Sequence, residues 1–128
     1  MQDLPKATEL LQAVAEFLRQ QAMPALSGQT AFHARVAANV LDIVRRELEL
    51  APRQEAEERQ RLGELLGEDA DLESLNRSLC QRIDAGELDL DSPGLFEHLW
   101  LTTLAKVAID QPNYVTYRRL VADQKGES

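Results

Sequence analysis

His33, Asn39 and Glu47 are the residues from which any chemistry in this 128-residue chain would start. At 100° per residue, Phe32, Val36, Val40, Ile43 and Val44 cluster on one arc of a helix, with Glu47 near its middle and His33 inside it. Asn39 and Arg46 sit at one edge of the arc, and Arg35 and Asp42 lie just outside. An imidazole gains and loses its proton near neutral pH, and a carboxylate accepts one, so an enclosed pair can do acid–base work. A carboxylate on a buried face also needs a partner, because an unpaired buried charge costs several kcal/mol. Asn76 falls between Leu72, Leu79 and Ile83 in a second helical pattern. In a third, Lys106 stands at the rim of Phe96, Leu99, Trp100, Thr103, Leu104 and Val107, with Asp110 one turn beyond it. A pocket between helices that gathers His33, Asn39, Glu47, Asn76 and Lys106 is the catalytic arrangement these spacings allow.

Each of these residues also has a plain structural role, and that role is favoured, since buried polar side chains normally satisfy one another or the backbone. His33 reads as a hydrogen-bonded core histidine and Glu47 as a carboxylate bending towards solvent near a helix end. Asn39 and Asn76 read as caps or cross-links, and Lys106 as a lysine whose stem lies on apolar surface. Cys80 reads as a small buried filler. His98 lies opposite Phe96 and Val107 and is expected to be exposed. No glycine-rich phosphate loop, Walker sequence or GxSxG elbow occurs. Asp69/Asp71 and Asp89/Asp91 have a spacing seen in calcium loops, but the distal glutamate of that motif is missing. No catalytic, cofactor-binding or metal-ligating residue is therefore assigned, no cofactor is expected, and these residues make a weak case for an enzyme.

The elements that must position these side chains are all helical. Helix one is predicted from about Lys6 to Ala22, with Leu10, Leu11, Val14, Phe17 and Leu18 on one face. Pro24 and Ser27-Gly28 make the turn. Helix two runs from Thr30 to Leu50 and ends at Pro52; helix three covers about Gln54 to Leu66, and Gly67 stops it. Helix four opens at Asp71 and closes at Gly86. Ser92-Pro93 opens helix five, which runs to about Asp110, and a short helix follows from Tyr114 to Val121. The stretch Glu87–Ser92 alternates like a strand but lacks a partner, so it reads as a connection. The expectation is an all-α, compact bundle of five main helices plus a short C-terminal helix. It forms a single domain over 1–128, ordered from about 4 to 121, with a frayed tail at 123–128.

Composition narrows the function classes. The net charge is −8, and Lys and Arg occur singly or in pairs, so nucleic-acid binding is not expected. An acidic surface favours basic patches on a protein partner and is repelled by anionic membranes. One cysteine excludes an internal disulfide and a Cys/His zinc site. No apolar run approaches the roughly 20 residues of a membrane span, and the first residues lack a signal-peptide pattern, so a cytoplasmic protein is expected.

Two stretches carry a family resemblance. Phe32 to Leu41 reads Phe-His-Ala-Arg-Val-Ala-Ala-Asn-Val-Leu, followed by Arg46-Glu47-Leu48. Ala105 to Tyr114 reads Ala-Lys-Val-Ala-Ile-Asp-Gln-Pro-Asn-Tyr, followed by Tyr117. With Pro5…Leu10-Leu11…Phe17-Leu18 and Leu75-Asn76…Leu79-Cys80…Ile83, about residues 3 to 120 resemble a bacterial family of small helical proteins of unknown function. Members of that family are typically encoded beside an aminoglycoside-phosphotransferase-like kinase and an acyl-CoA dehydrogenase. Such enzyme pairs phosphorylate 4-hydroxyacyl-CoA thioesters and then eliminate phosphate. The resemblance implies that this chain is an accessory subunit of the kinase in acyl-CoA catabolism. His33, Arg35, Asn39, Arg46, Glu47, Asn76, Lys106, Asp110, Tyr114 and Tyr117 are the candidate interface or pocket residues; Arg and Tyr are favoured interface anchors. Two other readings stand beside it: a small-ligand binder or enzyme using the interhelical pocket, and a self-associating bundle whose polar face is a homo-oligomer seam.

Overall fold

The computed structural model describes residues 4–126. The fold is all-α, and no strand occurs among the described residues. Helix α1 spans Ala7–Phe17 and passes through a π turn at Leu18–Ala22 into a single turn, α2, at Met23–Ala25. Helix α3 spans Gly28–Leu66, α4 Leu72–Asp84, α5 Leu95–Asp110 and α6 Val115–Gly126. The predicted helices two and three are one helix of 39 residues with Pro52 inside it. A helical proline forfeits one backbone bond and costs about 3 kcal/mol. Ion pairs one turn apart lie on both sides of it, Arg45 with Glu49 and Arg53 with Glu57; at about 0.2–0.5 kcal/mol each they offset only part of that cost. The last helix spans Val115–Gly126, past the predicted end at Val121; residues 127–128 of the tail expected to fray lie outside the described residues.

Internal contacts divide the chain between Ala51 and Pro52 into two units. In the first, the chain reverses at Leu26–Ser27, and the side chains that become fully buried are Ala15, Ala34 and Ala38. Ala31, Ala34, Ala38 and Leu41 recur at i, i+3, i+7 and i+10, which is one narrow face of α3. Most of the arc expected to be buried faces outward: Phe32, Val36, Val40 and Val44 are exposed, and Ile43 is half-buried. Ranking by hydrophobicity chose the larger side chains, whereas this unit turned the small ones inward. Arg19, in the π turn, fixes the alignment by donating from Nη2 to Asn39 Oδ1 at 2.9 Å and to Asp42 Oδ2 at 2.6 Å.

The second unit holds a leucine core of Leu62, Leu66, Leu75, Leu79 and Leu95, with Leu65, Ala70, Leu72 and Leu88 against it. Helix α3 ends at Gly67, whose φ of 66° is the left-handed conformation that only glycine adopts freely. Glu68 N then donates to Gly63 O at 3.1 Å, closing the terminus across five residues. Asp71 caps α4, accepting from Ser74 N at 2.8 Å. Glu68 receives both Ser78 Oγ (2.9 Å) and Arg82 Nη2 (2.6 Å), which ties the loop to α4. Ser92 does not cap α5: its Oγ accepts from Asp89 N at 2.9 Å, and Gly94 takes the cap position before Leu95.

Candidate functional site

The second half of α3 enters the second unit with two kinds of residue on one face. Leu62, Leu65 and Leu66 serve the core, and Gln54, Glu58 and Arg61 continue the same spacing one and two turns earlier. Gln54 Nε2 donates to Ala105 O at 3.1 Å, and Arg61 Nη2 donates to Thr102 Oγ1 at 3.3 Å, so both residues grip α5. Glu58 Oε1 accepts from Asn76 Nδ2 at 3.4 Å on the side of α4, and Asn76 also donates to Leu72 O at 3.1 Å. Arg61 Nε is buried without a hydrogen-bond partner. A cleft of about 260 Å³ opens between this part of α3, α5 and α6, lined by Gln54, Glu58, Arg61, Thr102, Tyr117 and Gln124 among others. Ligand pockets usually run from about 300 to 1,000 Å³, so this cleft suits a single inserted side chain better than a cofactor.

Arg61 also borders a second hollow, of about 380 Å³, beside Pro93, Gly94, Glu97 and His98. His98 is 3% exposed, which corrects the expectation of an exposed histidine. It follows Leu95 by three residues, so the turn that buries Leu95 buries His98 with it. Burial pushes its pKa below the usual imidazole value, the Arg61 cation adds to that, and Glu58 opposes both. Its Nδ1 has no hydrogen-bond partner. Burial and the Arg61 cation thus both favour the neutral imidazole over the charged form.

The same inversion seen in α3 appears in α5. Leu95 and His98 face inward, while Phe96 is 62% and Trp100 42% exposed. Their rings stack at 6.4 Å between centroids and 10° between planes. Leu99 beside them and Tyr114 and Val115 at the start of α6 are exposed as well. Cys80 is exposed too, not a buried filler, because Leu75 and Leu79 occupy the inward face of α4.

The residues singled out from sequence fall in both units. His33, Arg35, Asn39 and Glu47 are exposed on α3, and Arg46 is half-buried there. His33 meets the Phe32 ring edge-on at 5.7 Å, and the Arg35 guanidinium lies 5.6 Å from the same ring. Asn39 is held by Arg19. His33 and Glu47 are fourteen residues apart on one helix, hence about 21 Å, and no side chain spans that distance. Lys106, Asp110 and Tyr114 are exposed on α5 and at its end, Asn76 and Tyr117 are half-buried, and only Tyr117 lines the α3–α5–α6 cleft. Gln54, Glu58 and Arg61 were missed because the stretch from Gln54 to Arg61 is nearly all polar, and their phase with Leu62 and Leu65 was the available signal; Thr102 on α5 was missed as well, and His98 was placed on the wrong face. The acidic pairs do turn work: Asp69 pairs with Arg59 at 3.6 Å, Asp71 caps α4, and Asp89 Oδ1 accepts from Asp91 N at 2.9 Å.

No helix among the described residues is long and apolar enough to cross a membrane. Comparison with curated proteins and with solved structures finds no match to this chain. A family model described as "Domain of unknown function (DUF6285)" matches residues 24–114, from the single turn α2 to the start of α6. The chain belongs to the DUF6285 family.

Proposed function

We propose that this protein is a non-catalytic accessory subunit that docks on a phosphotransferase-type kinase acting on 4-hydroxyacyl-CoA. The observation that supports a docking role is the outward, stacked Phe96–Trp100 pair with Leu99 at its side. Exposed aromatic clusters rimmed by polar residues are the usual anchors of protein–protein interfaces. Lys106 and Asp110, further along the same helix and exposed, supply polar groups of both signs for a rim. A net charge of −8 suits a partner with a basic surface. The acyl-CoA substrate rests on the family resemblance described above.

The test is co-expression with an aminoglycoside-phosphotransferase-like kinase from the same source, followed by co-purification and by kinase assays with and without this chain. Complex formation and a kinase that needs the subunit support the proposal. A kinase fully active alone, with no complex at micromolar concentration, overturns it. Truncating Phe96 and Trp100 together to alanine is expected to weaken the complex by at least about 30-fold, the effect of losing one interface hot spot of roughly 2 kcal/mol. Both rings are exposed, so the helical circular dichroism of the free chain should be unchanged.

A further inference from the structure

His98 is sealed in the first turns of α5 beside charge. Its side chain is 3% exposed, and its Nδ1 has no hydrogen-bond partner. From α3, the Arg61 guanidinium and the Glu58 carboxylate act on it with opposite sign. Arg61 Nη2 is committed to Thr102 Oγ1, one turn along α5 from His98, and Arg61 Nε is itself buried without a partner. Such a place tolerates a neutral ring and is costly for a second cation. The ring also borders the hollow of about 380 Å³ that it shares with Arg61, Glu64, Pro93, Gly94 and Glu97. Glu64 and Glu97 are exposed, and neither forms an ion pair among the described residues; Glu64 accepts only from Gln60, at 3.5 Å. No charged side chain of α4 or α6 lines this hollow. The ring therefore has a guanidinium beside it in its sealed position, and room with two carboxylates next door.

We propose that His98 is an acid-operated latch between α3 and α5: on taking up a proton its ring leaves the sealed position beside Arg61, rotates into the hollow and pairs with Glu64 and Glu97. In the sealed position burial and the Arg61 cation both oppose the proton, and Glu58 alone favours it. In the hollow the charged ring meets water and two carboxylates, so there the charge is favoured. The movement is a change between staggered rotamers of one side chain and leaves the helix wound. Leu95 holds the turn in place, since it is 2% exposed and packed in the leucine core. Gly94, at φ 88° and without a side-chain cap, is where the first turn of α5 adjusts to the moving ring. The sign follows from the groups that titrate. The outward position gains as the pH falls below the ordinary imidazole value of 6.5, and it fades as the two carboxylates take up protons near about 4.3. A histidine buried neutral and released on charging is the element by which proteins respond to mild acid. The latch belongs to the chain alone and does not depend on any kinase.

The experiment is a pH titration of the full chain by NMR, reading the His98 ring protons beside a soluble gadolinium chelate, which broadens the signals of groups that solvent reaches. His33, exposed on α3, is the internal standard. At neutral pH the His98 signals should be broadened several-fold less than those of His33. As the pH falls from about 6.5 towards about 4.5 that difference should close. Helical circular dichroism and the methyl signals of Leu62 and Leu75 should stay unchanged over the same range. Glu64→Gln combined with Glu97→Gln, both at exposed positions, should lower the midpoint by about half a pH unit or more. A ring that stays shielded down to the pH at which the leucine core unfolds overturns the proposal. So does a ring as open as that of His33 at neutral pH, and so does a midpoint that the double variant leaves in place.

Discussion

Arg19 and Asp42 meet at 2.6 Å between Nη2 and Oδ2, and the same guanidinium nitrogen also reaches Asn39. This contact joins the π turn to α3 in a unit whose fully buried side chains are alanines. The pair is partly exposed, so its worth is that of a screened surface bridge with one added hydrogen bond. Arg19→Ala should lower stability by about 1 kcal/mol. Chemical denaturation in low salt measures it, and 1 M salt should shrink the difference between wild type and variant. Arg19→Lys should recover only part of the loss, because both contacts converge on one nitrogen at the far end of the arginine and the lysine side chain is shorter.

The leucine core of the second unit should respond more strongly. Leu62 is 0% exposed and belongs to the cluster with Leu75 and Leu95. Leu62→Ala removes buried methyl groups and leaves a cavity, a loss of about 2–5 kcal/mol. The exposed Leu90→Ala, by contrast, should fall within about 0.5 kcal/mol of wild type. Urea titration followed by helical circular dichroism separates the two, and an equal effect would mean that the assigned core is wrong.

His98 makes stability depend on pH with a definite sign. Its folded pKa lies below the ordinary imidazole value of 6.5, first through burial and then through the Arg61 cation. The unfolded chain therefore binds a proton that the folded chain refuses, and stability falls as the pH drops through about 6.5. The decline ends only when the folded pKa is reached. Urea midpoints between pH 7.5 and 5 should decrease for wild type and decrease less for His98→Asn. A midpoint that rises on acidification in this window would contradict the assignment.

Gly63 is set by close approach and not by dihedral angle. A β-carbon there would stand 3.0 Å from Glu68 O, next to the backbone bond from Glu68 N to Gly63 O. Alanine normally stabilises a helical glycine site by up to about 1 kcal/mol. Here the carbonyl can retreat only by disturbing the terminus of α3, so Gly63→Ala should destabilise by about 1 kcal/mol or more. Thermal melts of Gly63→Ala beside Gly126→Ala, where nothing lies within 4 Å, give the comparison.

The helices were legible because every long segment repeats its apolar residues at the helical period, and Asp71 and Gly67 mark their ends as capping chemistry requires. What a face packs against was not legible. Phe32, Val36 and Val40 read as core by size, yet the chain buries Ala34 and Ala38, because periodicity reports that a helix has a preferred face and is silent on which neighbour takes it. The same limit hid His98, which shares a turn with Leu95. It also hid Arg61, whose charge suggested solvent although its phase matched Leu62. Pro52 misled for a different reason: a proline weakens a helix without forbidding it, and α3 runs through it. Tyr117 was the one candidate from sequence that lines the α3–α5–α6 cleft, and it was chosen for its side-chain type.

The alanines of the first unit have one more consequence. Methyl groups are nearly identical in shape, so an interior built of them stores little information about which register of two helices is correct. That information resides in Arg19, whose Nη2 reaches both Asn39 and Asp42. Sliding one helix by a turn would strip that nitrogen of both acceptors. The alignment of the hairpin is thus written in polar groups at its edge, while its interior stays permissive.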